Sequence, residues 1–331
     1  MKRMATLDIL RGFALMGIIF INIQQMVPAS RDHTELEWGI LQLLDFAVNH
    51  RFFVIFAFLF GVGFQLFLSR AEARGERQPR LLFLRRLLIL FLIGLVHHYF
   101  QSGEVLAIYA ILGLLLLPFY RAKTVYVLAG AIVVIAAGCY LGPVITTLGM
   151  FLLGHWAGLI GLFKETERYH TGLRAAQIIS LLLIVPMYLA QRAFLNNTGY
   201  LDVALSVGAL PVSVFYVTTL TLLMRRKAMQ KLLAPLGALG RMALTNYLMQ
   251  TVIIVSLARL LDWPGKVNLL TLAAAPVVIL VLQLLASTLW LKRFPMGPVE
   301  YLWRLGTYGR QRMNSRLAAD PALEKAPVSI R

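Results

Sequence analysis

The chain has 331 residues, of which 59% are hydrophobic and only 14% are charged, and its formal net charge is +17. Soluble domains carry roughly a quarter charged residues, so this composition leaves too little polar surface to cover a soluble globule. The positive charge does not by itself indicate nucleic-acid binding, because Lys and Arg also gather on the cytoplasmic loops of membrane proteins. We therefore predict one membrane domain and no nucleic-acid partner.

Ten apolar segments have about the length that a membrane-spanning helix needs, which is about 20 residues. In chain order they are Leu7–Val27, Arg51–Ser69, Phe83–Phe100, Val105–Tyr120, Val125–Leu141, Ile145–Phe163, Ala175–Phe194, Ala204–Met224, Ala243–Leu261 and Leu269–Leu291. None alternates with a period of two, so the sequence predicts an all-α polytopic membrane protein with about ten transmembrane helices rather than a barrel. Residues 1–310 are predicted to form this single domain, and residues 311–331 a flexible cytoplasmic tail.

The distribution of basic residues predicts how these segments are oriented. With the N terminus inside, 27 of the 32 Lys and Arg residues fall on the inner side and 5 on the outer side. This excess follows the positive-inside rule. A missed or additional segment would move all later loops to the opposite side and abolish the excess. We therefore predict a multi-pass protein of the inner membrane with both termini in the cytoplasm. In the first outer loop, residues 35–49 mix acids with Trp38 and aliphatic residues, and they are predicted to form a short amphipathic helix at the interface.

Polar side chains within apolar segments carry most of the functional information, because they are costly in lipid and usually face a bundle interior or a water-filled cavity. On the first segment, Asp8 and Arg11 are three residues apart and can pair on one face. Asn22 lies about 15 to 20 Å deeper, toward the outer leaflet. The structural alternatives are an acid at a helix start, an arginine that snorkels to the interface and an amide that bonds to a neighbouring helix.

Two histidines and a carboxylate surround the tight connection between the third and fourth segments. His97 and His98 end one segment, and Glu104 opens the next. An imidazole can remove a proton from an attacking hydroxyl or amine, and a neighbouring carboxylate would orient it. The alternative is a His–Glu contact that only holds the hairpin together. A metal site would need a third and a fourth ligand. Asp32 and His33 could approach from the first outer loop, but nothing in the spacing requires it, so no metal site is predicted.

A polar stripe runs along the ninth segment. Asn246 and Gln250 are four residues apart on one face, and Arg241 lies about a turn below them, toward the cytoplasmic side. Arg85 and Arg86 are predicted to lie at the same side. A stripe that leads inward from a basic rim suits a ligand with a charged head and a neutral tail, and arginine binds phosphate well. Helix packing explains the stripe equally well, and the positive-inside rule already predicts the rim.

Stretches from one end of the chain to the other resemble the YeiB-like family of bacterial membrane proteins, whose function is unknown. These stretches are Leu7 to Ile18 with Asn22, Phe53 to Phe64, Gly94 to His97, Gly103 to Leu106 with Tyr109 and Ala110, Gly240 to Gln250, and Gly297 to Arg304. That family looks like a branch of the transmembrane acyltransferases, which include the lysosomal heparan-α-glucosaminide N-acetyltransferase. In the family an Asp usually follows the histidine of the third helix, and here that carboxylate is Glu104.

The resemblance implies an acyltransferase of the bacterial inner membrane that uses acyl-coenzyme A or acetyl-coenzyme A as co-substrate. Such an enzyme takes the acyl group on the cytoplasmic side and delivers it to an acceptor on the other side with the help of a histidine. His97 or His98 would be the general base, Glu104 would orient it, and Asn22 or Gln25 would donate to the oxyanion. The residues predicted to bind the coenzyme are Asp8, Arg11, Arg85, Arg86, Arg241, Asn246 and Gln250.

Two other functions stay open at this stage. A transporter or exporter of a lipid or small metabolite would line its path with the same polar residues. A non-catalytic scaffold or sensor would tolerate substitution of the His–Glu pair. The expected partners are membrane lipids, a coenzyme A thioester, an extracytoplasmic acceptor and a second copy of the chain in a homodimer.

Overall fold

The computed structural model describes residues 4–198 and 201–309, and in these residues the regular structure is entirely helical. The helices are α1 (Ala5–Met26), α2 (Glu35–Ala47), α3 (Arg51–Glu72), α4 (Pro79–His98), α5 (Leu106–Leu114), a 3-10 helix (Leu117–Arg121), α6 (Thr124–Leu141), α7 (Pro143–Leu159), α8 (His170–Thr198), α9 (Leu201–Leu223), α10 (Lys227–Leu232), α11 (Ala234–Arg241), α12 (Ala243–Leu260), α13 (Leu269–Arg293) and α14 (Pro298–Tyr308). The predicted all-α class is confirmed. The predicted tail, residues 311–331, lies outside the described residues.

Seven stretches of the described chain are long and apolar enough to cross a membrane. They are α1, α2 together with α3, α6, α8, α9, α12 and α13. A further apolar helix, α7, has 17 residues. The described part of the chain is thus all-helical and has several candidate spans, as expected of a membrane protein.

The fourth predicted segment, Val105–Tyr120, is wrong as a single helix. α5 has only nine residues and ends at Leu114, and the 3-10 helix follows. Pro118 explains the break, because a proline ring clashes with the carbonyl group four residues earlier in an α-helix, here that of Leu114. At 1.5 Å per residue α5 is about 14 Å long, less than half of the hydrocarbon core of about 30 Å.

The predicted amphipathic helix is present as α2. A capping box starts it, in which the Thr34 hydroxyl accepts from the Glu37 backbone and the Glu37 carboxylate accepts from the Thr34 backbone. Glu37 also accepts from the backbone N–H groups of Leu269 at 3.0 Å and Leu270 at 3.3 Å. The same carboxylate therefore caps α13 and docks α2 onto it, while Trp38 stays exposed.

Helix α1 lies at the centre of the bundle. It packs against α3, α9, α11, α12 and α13, and most of it is buried, whereas α8 is largely exposed. Its closest neighbour is α11, because a Cβ atom at Gly12 would collide with the carbonyl oxygen of Leu236, and one at Gly240 with that of Asp8. This contact fixes the end of α1 that carries Asp8 and Arg11.

Helices α3 and α7 also approach closely. A Cβ atom at Gly154 would collide with the carbonyl oxygen of Phe58, and one at Gly61 with that of Phe151. We expect Gly154→Ala to lower the free energy of unfolding by about 1–3 kcal/mol, the usual cost of overpacking. Gly172→Ala, where an added Cβ meets nothing within 4 Å, is the control and should raise stability by up to about 1 kcal/mol. Equal thermal midpoints of the two variants in detergent would contradict this close contact.

Candidate functional site

His97 and Glu104 lie side by side in the interior of the bundle. His97 is in the last turn of α4, and Glu104 precedes α5. Their side chains are 5% and 1% exposed, and His97 Nδ1 is 3.9 Å from Glu104 Oε1. The tight connection between the two helices therefore brings an imidazole and a carboxylate together away from solvent.

The start of α5 holds the Glu104 carboxylate in place. The backbone N–H of Leu106 donates to Oε1, and that of Ala107 donates to Oε2 at 3.1 Å. The first N–H groups of a helix have no partner within the helix, and the helix dipole favours a negative charge there. The position of Glu104 is thus set by α5, independently of His97.

Helix α12 supplies the second partner of His97. Its Nε2 lies 2.8 Å from Thr251 Oγ1, and the Thr251 hydroxyl donates to Gln101 Oε1 at 3.0 Å. A hydroxyl has one hydrogen, so with the Gln101 amide in this orientation Thr251 accepts from His97. The proton of the neutral imidazole then sits on Nε2, and Nδ1, which faces Glu104, carries the lone pair.

Asn22 and Tyr247 complete what we call the His97 cluster, which consists of Asn22, His97, Gln101, Glu104, Tyr247 and Thr251. The ring centroids of His97 and Tyr247 are 4.9 Å apart, and the Tyr247 hydroxyl lies close to the Asn22 side chain, the Val105 backbone and Glu104. Both amide atoms of Asn22, His97 Nδ1, Gln101 Nε2 and the Tyr247 oxygen are buried without a hydrogen-bond partner. A buried polar group that is left without a partner costs about 1–3 kcal/mol, so these atoms are the ones in the cluster that a water or a ligand would stabilise.

His98 lies outside the cluster. It follows His97 on α4 and its side chain is exposed, because neighbouring residues of a helix point about 100° apart. Of the two histidines that the sequence left open as the base, only His97 faces Glu104. Within residues 4–198 and 201–309, no group of three or more His, Cys, Asp or Glu side chains is placed to hold a metal ion.

The polar stripe of Asn246 and Gln250 faces α13 instead of the His97 cluster. Asn246 Nδ2 donates to Ser287 Oγ at 2.9 Å, and Gln250 Nε2 donates to Gln283 Oε1 at 3.0 Å. Gln283 Nε2 donates in turn to the backbone carbonyl of Asn246 at 2.9 Å. These bonds hold two helices together, which is the structural alternative for this stripe.

The other residues predicted to bind a coenzyme stand at the opposite end of α1 and α4. Arg11 pairs with Asp8 at 3.1 Å. Arg241 Nη2 donates to the backbone carbonyl of Pro295 at 3.0 Å. Arg85 is exposed. These arginines share one end of the bundle but have different surroundings.

Arg86 belongs to a group of arginines that we call the arginine rim (Arg11, Arg70, Arg86 and Arg304). Its guanidinium carbon lies 3.6 Å from the ring centroid of Trp303. Arg70 and Arg86 are each within electrostatic range of Arg11 and Arg304. Guanidinium groups from α1, α3, α4 and α14 thus interact electrostatically, together with the carboxylates of Asp8 and Glu300. Four positive charges against two negative ones leave a net positive charge, which favours phosphate.

Comparisons with known proteins assign the chain to a family. Residues 157–310 match the family described as "Protein of unknown function (DUF418)". An uncharacterized 39.9 kDa protein in the amylase 3' region of Bacillus acidopullulyticus is 37% identical, covering 94% of this chain and 95% of the relative. The chain belongs to the YeiB-like family. The uncharacterized protein YxaH of Bacillus subtilis is 27% identical (93% and 94% covered), and the uncharacterized protein YeiB of Escherichia coli is 26% identical (98% and 99% covered). No solved structure matches.

In this YeiB-like chain, α14 positions α12, the helix that carries two of the six residues of the His97 cluster. Glu300 Oε1 accepts from the backbone N–H groups of Leu244 at 2.7 Å and Thr245 at 3.1 Å, and the Thr245 hydroxyl donates to Glu300 Oε2 at 2.5 Å. The carboxylate thus caps the start of α12 and fixes the helix that bears Tyr247 and Thr251. Nothing in the spacing of the sequence indicated this role for Glu300.

Sequence reasoning also missed Tyr247 and Thr251 themselves. They are four residues apart on α12 and form a second polar stripe beside Asn246 and Gln250. That spacing was a readable signal, and it is this second stripe that faces His97. Gln101, which is 1% exposed, lies in the connection after α4 and had no such signal.

Proposed function

We propose that this YeiB-like protein is an integral membrane acyltransferase. It would take an acyl group from acyl-coenzyme A or acetyl-coenzyme A in the cytoplasm and pass it to an acceptor at the outer side of the membrane. The observation that carries the proposal is the buried pairing of His97 with Glu104, in which the lone pair of Nδ1 has no hydrogen-bond partner. When the His97 imidazole accepts a proton at Nδ1, the neighbouring Glu104 carboxylate stabilises the resulting imidazolium.

The proposal includes the predicted topology, with about ten crossings of the bacterial inner membrane and both termini inside. The arginine rim supports it, because it gathers the ends of α1, α3 and α4 that the charge distribution assigns to the cytoplasm. His97 is eleven residues beyond Arg86 on α4, about 16 Å further along, which puts the cluster nearer the outer side. In this topology α5 and the 3-10 helix together make the fourth crossing, and a homodimer stays a prediction.

The chemistry needs a base for the acceptor and donors for the oxyanion, since a thioester is already activated. The hydroxyl or amine of the acceptor would attack the thioester carbonyl carbon, and the C–S bond breaks as the C–O or C–N bond forms. His97 Nδ1 takes the proton of the acceptor and passes it to the departing thiolate. Glu104, 3.9 Å away, stabilises the imidazolium between these two events.

Two side chains of the cluster can stabilise the oxyanion. The Asn22 amide and the Tyr247 hydroxyl are buried next to each other in the cluster, and each carries an N–H or O–H group that can donate to a developing negative charge. Donors that are held in place before the reaction are the largest single contribution to many acyl-transfer rates. The proposal therefore keeps the role predicted for Asn22 and adds Tyr247.

The arginine rim is the proposed site for the coenzyme phosphates. Arg11, Arg70 and Arg304 would bind them, and Asp8 would hold Arg11 in position. Arginine forms paired hydrogen bonds with phosphate oxygens. Asn246 and Gln250 are engaged with α13 and are left out of the proposed path.

Thioester consumption tests the proposal. Protein in proteoliposomes is given acetyl- or palmitoyl-coenzyme A together with a bacterial membrane extract as the source of acceptor, and the released thiol is measured with a chromogenic reagent. We expect thiol release that requires both the protein and the extract. Intact thioester at both chain lengths would overturn the proposal. If the protein consumed no thioester but took up a labelled solute, a transporter would be favoured.

A further inference from the structure

A cleft that shares no residue with the His97 cluster or the arginine rim opens between α8 and α9. Its volume is about 460 Å³, within the size range of small-molecule sites. It is lined at one end by Arg174 from the first turns of α8 and by Arg225 and Arg226, which follow α9. Three guanidinium groups from two helices thus surround one concave surface.

One acid lines the cleft, and an arginine neutralises it. Arg225 Nε donates to Glu167 Oε1 at 2.9 Å, and its Nη2 donates to Oε2 at 2.5 Å. This paired hydrogen bond with the guanidinium lowers the pKa of the Glu167 carboxyl, which therefore stays ionised at neutral pH. Arg174 and Arg226 remain as the net positive charge of the cleft.

The inner part of the cleft is neutral and then apolar. Gln177 Nε2 donates to Thr219 Oγ1 at 2.7 Å, which leaves the Thr219 hydrogen free to bind an acceptor oxygen. Leu222 adds an apolar wall. Further along α8, Ile178 and Leu182 are 56% and 69% exposed, so the polar cleft continues into a face that suits hydrocarbon.

We infer that this cleft binds the phosphate group of an anionic phospholipid whose acyl chains lie along the exposed face of α8. Arginine recognises phosphate through paired hydrogen bonds, and Arg174 and Arg226 are the side chains that supply the uncompensated charge. A free phosphate or the phosphates of coenzyme A offer the same chemistry, but neither would use the adjoining apolar face. The inference does not depend on the proposed acyl transfer.

Lipid-dependent thermal stability tests the inference. Full-length protein in detergent is unfolded with phosphatidylglycerol, coenzyme A or inorganic phosphate added separately. Phosphatidylglycerol near saturation is expected to raise the midpoint of the wild type by about 5 °C, as binding to the folded state requires. In the double variant Arg174→Gln/Arg226→Gln this rise should disappear. Any rise with coenzyme A, which is proposed to bind at the arginine rim, should be equal in the wild type and the double variant, because the rim shares no residue with the cleft.

A charge-matched variant separates the cleft from general attraction to a basic surface. Arg168→Gln/Lys231→Gln removes two positive charges from the neighbouring α7–α8 connection and α10, and neither residue lines the cleft. This variant should keep the full response to phosphatidylglycerol. Loss of the response in both double variants would overturn the inference. A response to coenzyme A or phosphate that is lost in Arg174→Gln/Arg226→Gln would overturn the lipid assignment and identify a soluble phosphate as the ligand of the cleft.

Discussion

Replacing His97 with alanine is expected to lower the rate of acyl transfer by about 10²–10⁴-fold, the usual contribution of a positioned general base. The substitution removes the Nδ1 atom that faces Glu104 and the Nε2 donor to Thr251. No other histidine lies in the His97 cluster to replace it. The measurement is the rate of thiol release from acyl-coenzyme A by protein in proteoliposomes.

The neighbouring histidine provides the matched control for this variant. His98→Ala changes the same residue type one position further along α4, where the side chain is exposed, and it should keep the wild-type rate. Comparing the thermal midpoints of the two variants accounts for any loss of folding. Wild-type activity in His97→Ala would refute the base, and equal losses in both variants would point to α4 as a whole instead of the imidazole.

Glu104→Gln separates charge from shape in the same assay. Glutamine keeps the size and one acceptor oxygen for the start of α5, but it removes the negative charge that stabilises the imidazolium. We expect Glu104→Gln to lower kcat to a similar extent as His97→Ala. The KM for the thioester should change little, because the rim that would bind the coenzyme is about 16 Å away. A raised KM with normal kcat would assign Glu104 to substrate binding.

The apolar segments were predictable because lipid dictates their composition, and each predicted segment contains a helix. The failure at Val105–Tyr120 has a local cause that the sequence did contain. Pro118 cannot continue a helix through Leu114, yet Pro186, Pro211 and Pro276 lie within helices of the structure. Hydropathy alone does not distinguish these cases, since the outcome depends on which other groups can bind the backbone carbonyl that loses its hydrogen bond at each proline.

Contacts in the candidate site were predictable where a short connection brings two residues together. They were not predictable where helix packing determines which side chains face the site. The short connection between α4 and α5 places His97 and Glu104 close together whatever the rest of the packing. On α12 the stripe of Asn246 and Gln250 and that of Tyr247 and Thr251 are adjacent and equally regular. Which of them faces α4 depends on the rotation of α12 about its axis, and Glu300 on α14 and the partners on α13 help to fix that rotation.

Arg51, the first residue of the second predicted segment, shows the same limit, because its environment depends on packing. It is fully buried, with 0% exposure. Its Nη2 donates to Gln191 Oε1 at 2.9 Å and its Nη1 to the backbone carbonyl of Asn49 at 2.6 Å. Gln191 Nε2 also donates to Asp45 Oδ2 at 3.3 Å. The guanidinium thus joins α2, α3 and α8 through one amide side chain.

Gln191→Met is expected to lower the free energy of unfolding by about 3 kcal/mol, because it leaves a buried charged donor without its acceptor. Arg192→Gln, at the exposed next position, should stay within about 0.5 kcal/mol of the wild type. The double variant Arg51→Met/Gln191→Met removes both partners and should recover most of the loss, since apolar groups of similar volume can replace a buried polar pair at little cost. Chemical unfolding in detergent measures all three. If the double variant were no more stable than Gln191→Met, the unsatisfied guanidinium would not be the cause, and the loss would lie in the packing of α8 against α3.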